Sequence, residues 1–179
     1  MKVTDLEKGL SRMDRLRSKY LFVSHAREDR ELLEEIRMYA DCLSDIEWWD
    51  DGSLLPGANW GRFISDTINS SYAALLLISQ YSLRSEFVWR HEVPELLNSG
   101  IPVSWLKIRE CPWDISSRAA TIRAIQALRD PVAVPFSALN GAQREAELNI
   151  IVRHLSEFSL CSRRLQNGPA QPGSEVVNP

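Results

Sequence analysis

Tyr72-Ala73-Ala74-Leu75-Leu76-Leu77-Ile78 is the most apolar run in the chain, and it stops abruptly at Ser79. A short apolar run without alternation is what a strand covered on both faces requires. Tyr20-Leu21-Phe22-Val23 has the same character and ends in Ser24-His25. Between the two lies helical spacing: Leu32, Leu33, Ile36, Tyr39, Ala40 and Leu43 share one side of residues 27–43. Strand, helix and buried strand in that order point to a parallel sheet, with Tyr72 to Ile78 at its centre.

The pattern continues outward. Ile46 to Trp49 reads as a strand, and residues 59–69 as a helix carrying Trp60, Phe63, Ile64 and Ile68. A helical stretch over 82–98 contains Pro94, which is expected to kink it. Residues 101–108 read as a fourth strand, 117–128 as a short helix, and 131–136 as a fifth strand at an edge, where prolines are tolerated. Leu148, Ile151, Val152, Leu155 and Phe158 form one stripe of a closing helix over 140–158. The fold class expected is therefore α/β, a three-layer sandwich with a five-stranded parallel sheet. Ahead of it, residues 1–19 have the capping-box form Thr4-Asp5-Leu6-Glu7 and an apolar stripe of Val3, Leu6, Leu10, Met13 and Leu16. Residues 20–160 form the expected domain, and the Gly-, Pro- and Asn-containing stretch 161–179 reads as a linker or flexible tail.

Composition narrows the function classes. With 179 residues and 44% hydrophobic content, one ordinary domain can bury a sizeable core. A net charge of −3 gives no electrostatic case for nucleic acid. No apolar run is long enough for a membrane span, and Met1 leads into mixed charges rather than a signal segment. Cys42, Cys111 and Cys161 are widely spaced with no CxxC arrangement. A soluble, reducing, cytoplasmic setting is the expectation, and no cysteine is expected to be catalytic.

The loop Asp50-Asp51-Gly52-Ser53-Leu54-Leu55-Pro56-Gly57-Ala58-Asn59 has turn chemistry, yet it carries two leucines between Trp49 and Trp60. Large apolar groups in a loop suit a surface that binds something; the bland alternative is a local plug. In an open parallel sheet, ligands bind beyond the carboxyl ends of the strands. That rule gathers Ser24-His25, Trp49-Asp50-Asp51 and Ser79-Gln80-Tyr81 at one edge.

These residues carry a resemblance. Phe22-Val23-Ser24-His25 looks like the opening motif of TIR (Toll/interleukin-1 receptor) domains, and Trp49-Asp50-Asp51 through Leu54, Pro56-Gly57 and Trp60 resembles that family's BB loop. Ser79 to Ser82, followed by Ser85-Glu86-Phe87 through Glu92-Val93-Pro94, is similar to its third strand and the helix after it. The resemblance spans residues 20–158 and looks closest to the bacterial branch, whose members serve defence or signalling. It implies a flavodoxin-like strand order of 2-1-3-4-5. Some members are scaffolds that associate through the BB loop, whereas others cleave NAD at the nicotinamide–ribose bond with one glutamate.

The position matching that glutamate is Glu92. A carboxylate beside the ribose can stabilise the positive charge that develops there, and nicotinamide leaves neutral without a second acid. The side chain is expected to lie outside the core. Trp89, three residues earlier, is expected to share its face and stack on a flat ring. The aromatic that often sits four before the glutamate is Val88 here. His25 and Arg27 are candidates for the ribose and pyrophosphate, although Arg27 reads equally well as a surface residue opening a helix. Asp50 could bind a ribose hydroxyl or cap the loop. Ser24, Trp49, Gly57 and Trp60 complete the substrate-binding set, while Leu54, Leu55, Pro56 and Gly57 are the self-association candidates. NAD is expected as substrate and no cofactor or metal is expected, since His25, His91 and His154 lack ligand spacing. Expected partners are NAD and other TIR domains, not nucleic acid or membrane. A glycine-rich dinucleotide fingerprint and a GxxxxGK[ST] loop are both absent, and the third strand ends without the aspartate a phosphorelay receiver needs.

Overall fold

The computed structural model describes residues 20–42, 46–50 and 60–167. The expected helix over 1–19, the loop residues Leu54, Leu55, Pro56 and Gly57, and the chain beyond 167 lie outside the described residues. So does the side chain of Trp60.

The sheet has five parallel strands in the order β2-β1-β3-β4-β5. They are β1 (Tyr20–Ser24), β2 (Glu47–Trp49), β3 (Ser71–Ile78), β4 (Val103–Lys107) and β5 (Gln126–Ala127). This is the flavodoxin-like arrangement. Every residue of β3 is buried, and from Ala73 on its side chains alternate between two cores, as the two-residue strand period demands, with Tyr72 the extra residue where the pairing with β1 slips. Tyr72, Ala73, Leu75 and Leu77 join Leu33 and Ile36 of α1 (Arg30–Ala40) and Leu148, Ile151 and Leu155 of the last helix. Ala74, Leu76 and Ile78 join Ile64 and Ile68 of α2 (Trp60–Asn69), with Val88, Trp89, Val93 and Leu96 from the segment after β3.

That segment departs most from expectation. In place of one kinked helix there are three pieces: α3 (Gln80–Arg84), a π-helical turn over Val88–Glu92, and α4 (Val93–Ser99). Ser79 caps α3, accepting from the amides of Tyr81 and Ser82 while Ser82 returns the bond to the Ser79 amide. Gly100, at φ 74°, closes α4 in the left-handed conformation that glycine adopts without penalty.

Two expectations near the end of the chain are corrected. The fifth strand is not 131–136. It is Gln126–Ala127, which follows α5 (Ala119–Ala124) and pairs with Ser104 and Trp105. Pro131 and Pro135 have no amide to give a ladder, and the turn after Asp130 is instead closed by Val132 and Ala133 bonding back to Asp130. Phe136 is fully buried, an anchor rather than an edge residue. The closing helix α6 (Gly141–Asn167) also runs past Leu160, where the change in composition suggested an end. Ser159 and Ser162 continue its buried stripe, and the Arg163 guanidinium sits 4.5 Å from the centre of the Tyr72 ring. Among the described residues, no helix is long and apolar enough to cross a membrane.

Because β3 feeds both cores, Leu75→Ala should destabilise the fold by about 2–5 kcal/mol, the range for a large-to-small change at a fully buried site. Urea unfolding of the two proteins measures it.

Candidate functional site

The carboxyl ends of β1 and β3 and the segment after β3 meet at one edge. Ser24, the last residue of β1, is buried, and its hydroxyl donates to Glu92 Oε2 at 2.5 Å. Glu92 is only 2% exposed. The expectation that it lies outside the core is therefore corrected: the carboxylate is held against the sheet edge, on the side of the molecule where His25 stands. A buried carboxylate is tolerable only with hydrogen-bond donors at hand, and the Ser24 hydroxyl is one.

Beside this pair opens a cavity of about 930 Å³, large enough for a dinucleotide and within the common range of ligand pockets. His25, Arg27, Glu28, Ile64 and Gly61 line one side; Tyr81, Arg84, Ser85, Phe87, Val88 and His91 line the other. Neither Ser24 nor Glu92 is part of that lining. Their chain neighbours do line it, His25 after Ser24 and His91 before Glu92. His25 is 6% exposed, and its Nδ1 has no hydrogen-bond partner among the described residues. A buried nitrogen without a partner, in a residue that lines a cavity, is a candidate for a ligand or water contact. Phe87 and His91 pair their rings at 5.4 Å on the opposite wall.

The remaining sequence candidates divide. Arg27 is exposed in a 3-10 turn (Arg27–Asp29) and lines the cavity beside His25. Trp89 does not line it. Its ring is 7% exposed in the core, its indole N–H donates to the Ser82 carbonyl at 2.9 Å, and Arg118 lies over it at 5.4 Å. The expected stacking role is thus occupied by the protein itself, because a π turn does not keep the i, i+3 relation of an α-helix. Trp49 stacks on Phe22 at 5.0 Å and meets Phe63 at 5.9 Å, which makes it part of the packing around β1. Asp50 is buried and forms an ion pair with Arg37 of α1. That ion pair ties the residue at the start of the loop to α1.

Sequence reading placed Tyr81 at this edge but missed the rest of that half of the wall, Arg84, Ser85, Phe87 and His91. The signal was present in the Ser79/Ser82 capping box, which announces a helix start at the sheet edge. It also missed Asp29, a fully buried carboxylate that accepts from Ser79 Oγ at 2.5 Å and from Arg109 Nε at 2.7 Å. Arg109 also donates to the Glu28 carbonyl and lies 5.5 Å from the Tyr81 ring centre. The network ties the loop after β1 to the loop after β4, with the lining residues Glu28 and Tyr81 attached to it.

No group of three His, Cys, Asp or Glu side chains among the described residues could hold a metal. Cys111 is buried, and its thiol is pushed up to about 11, chiefly by loss of solvent, with Lys107 pulling the other way. Thiolate chemistry is therefore a poor fit at this edge. Cys42 and Cys161 are exposed, so iodoacetamide at pH 8 should modify both quickly and Cys111 only on unfolding. Mass spectrometry of the native and denatured protein reads the difference.

Comparison with protein families matches residues 21–131 to the family described as TIR domain, more than half of the chain. A search of curated proteins gave no match.

Proposed function

The chain belongs to the TIR domain family, and from that premise we propose that it is an NAD glycohydrolase, releasing nicotinamide from NAD with Glu92 as the catalytic carboxylate. The observation that supports this reading is Glu92 itself: a buried carboxylate hydrogen-bonded by Ser24, whose chain neighbours His25 and His91 line a dinucleotide-sized cavity. In this reading the Arg27 and Arg84 guanidiniums meet the pyrophosphate. His25 Nδ1 takes a ribose hydroxyl, and Phe87 with His91 offers a flat face to a base. As the glycosidic bond breaks, positive charge grows on the ribose. A carboxylate in a water-poor setting stabilises that charge far better than water does. Water then adds to the ribose, giving ADP-ribose, or a hydroxyl of the same molecule adds, giving a cyclic product.

The burial of Glu92 sets a condition on this chemistry. At 2% exposure the carboxylate cannot touch a ribose, so in this reading the residues that cover it must shift before reaction. Self-association is the trigger the reading assigns. The apolar loop with Leu54, Leu55, Pro56 and Gly57 leads into α2, whose Gly61 and Ile64 line the cavity. Contact at that loop then shifts one wall. The same burial favours a second reading, a scaffold whose TIR–TIR contacts carry signal with no chemistry, in a bacterial defence or signalling setting.

Glu92→Gln keeps the shape and still accepts from Ser24, so the fold should persist while nicotinamide release falls by at least ~100-fold, as for loss of a charge-stabilising group. Glu92→Ala leaves a buried hydroxyl short of its acceptor and should also lower stability by about 1–3 kcal/mol. Chromatography of nicotinamide, beside thermal unfolding of each variant, separates the two effects. Near-wild-type release from Glu92→Gln would contradict the assignment. Turnover per molecule should also rise with protein concentration, and Leu54→Ala should flatten that rise. A wild type that forms assemblies yet releases no nicotinamide is a scaffold.

A further inference from the structure

The π turn over Val88–Glu92 has a cause in the sequence. Its defining bond runs from the Val93 amide to the Val88 carbonyl, five residues back. The next residue is Pro94, which has no amide to donate. Its ring would also collide with the carbonyl of Arg90 if the chain stayed α-helical. In the observed structure, Pro94 instead falls in the first turn of α4, where a missing amide leaves no bond unmade. The widened turn before it carries one extra residue. Insertion of a residue rotates everything on one side of the bulge by about 100° relative to the other, one residue's share of an α-helical turn.

That rotation decides where Glu92 points. Val88 and His91 line the cavity, whereas Trp89 is turned into the core under Arg118. In an unbroken α-helix, Glu92 would sit between the Val88 and Trp89 directions. The wide turn moves it away from Trp89, toward the side where Ser24 waits. We propose that Pro94 is a positioning residue, which imposes the π turn at Val88–Glu92 and thereby delivers the Glu92 carboxylate to Ser24 at the cavity wall. Pro94 is itself exposed. It touches neither Ser24 nor a ligand, and acts only through the backbone. The catalytic consequence rests on the NAD-cleaving reading, but the geometric one does not.

The test compares wild type, Pro94→Ala, and Pro94→Ala with Arg90 deleted. Arg90 is exposed, and its removal takes one residue out of the turn. A continuous α-helix then keeps both flanks in their original orientation. In each background, Ser24→Ala and Glu92→Ala, each of which removes the contact, form a double-mutant cycle read by urea unfolding. The coupling in wild type should amount to about tenfold in the folding equilibrium, as for contacting residues. It should fall to within about twofold in Pro94→Ala and return when Arg90 is also deleted. A crystal structure of Pro94→Ala should show the amide at position 94 donating to the Arg90 carbonyl, with Glu92 off Ser24.

A Pro94→Ala structure that keeps the π turn and full coupling overturns the proposal. So does a deletion variant that fails to restore the coupling or fails to fold, whichever way Pro94→Ala itself behaves. Nicotinamide release supplies the third readout: kcat should fall in Pro94→Ala with KM within about twofold, then recover in the deletion variant. If wild type releases none, the NAD reading fails while the cycle and the crystal structure still decide this one.

Discussion

The hydrogen bond from the Ser24 hydroxyl to the Glu92 carboxylate is the contact on which the functional edge depends. It joins the end of β1 to the segment after β3 across 68 residues of sequence. A carboxylate at 2% exposure is destabilising unless it is met by donors. The fold meets it by ending β1 in serine rather than another apolar residue, and by opening the helix after β3 into a wide turn. The two sequence choices make sense only together. Serine at the end of β1 supplies the Glu92 carboxylate with a hydroxyl donor at the point where the wide turn brings it.

A second buried carboxylate performs a mechanical task on the neighbouring side of the same edge. Asp29 binds Ser79 at the end of β3 and Arg109 beyond β4, and Arg109 reaches on to the Glu28 carbonyl and the Tyr81 ring. The loops after β1, β3 and β4 are thereby fastened to one another. The cavity wall that includes Glu28 and Tyr81 is built on this fixed base. On the other flank, the start of the loop after β2 is held by Asp50 with Arg37 and by Trp49 stacked on Phe22. These contacts fix Trp49 and Asp50, the residues from which the loop after β2 begins.

The sheet was legible in the sequence because buried parallel strands are short, apolar and unalternating, and β1 and β3 meet all three conditions. Glu92 was named through the resemblance to TIR domains, whereas His25 and Arg27 were candidates because a strand's carboxyl end marks the binding edge. What was not legible depends on pairing rather than pattern. Two residues, Gln126 and Ala127, form β5 only because β4 offers them a ladder, whereas the more strand-like 131–136 contains two prolines that no ladder accepts. Trp89 looked available to a ligand because an α-helical spacing was assumed; the π turn removes that spacing and places the indole under Arg118. The stripe of α6 likewise continues through Ser159 and Ser162, buried serines that no hydrophobic count would enlist.

A closed carboxylate beside an open cavity is the central physical claim, and its chemistry requires that NAD enter that cavity. The direct measurement is a crystal structure of Glu92→Gln, which should hold uncleaved substrate, soaked with NAD. The account expects the pyrophosphate beside Arg27 and Arg84, a ribose hydroxyl on His25 Nδ1, and the nicotinamide-bearing ribose against residue 92 with the residues that cover it displaced. NAD bound at the opposite edge of the sheet, or a cavity that stays empty at saturating NAD, would contradict it.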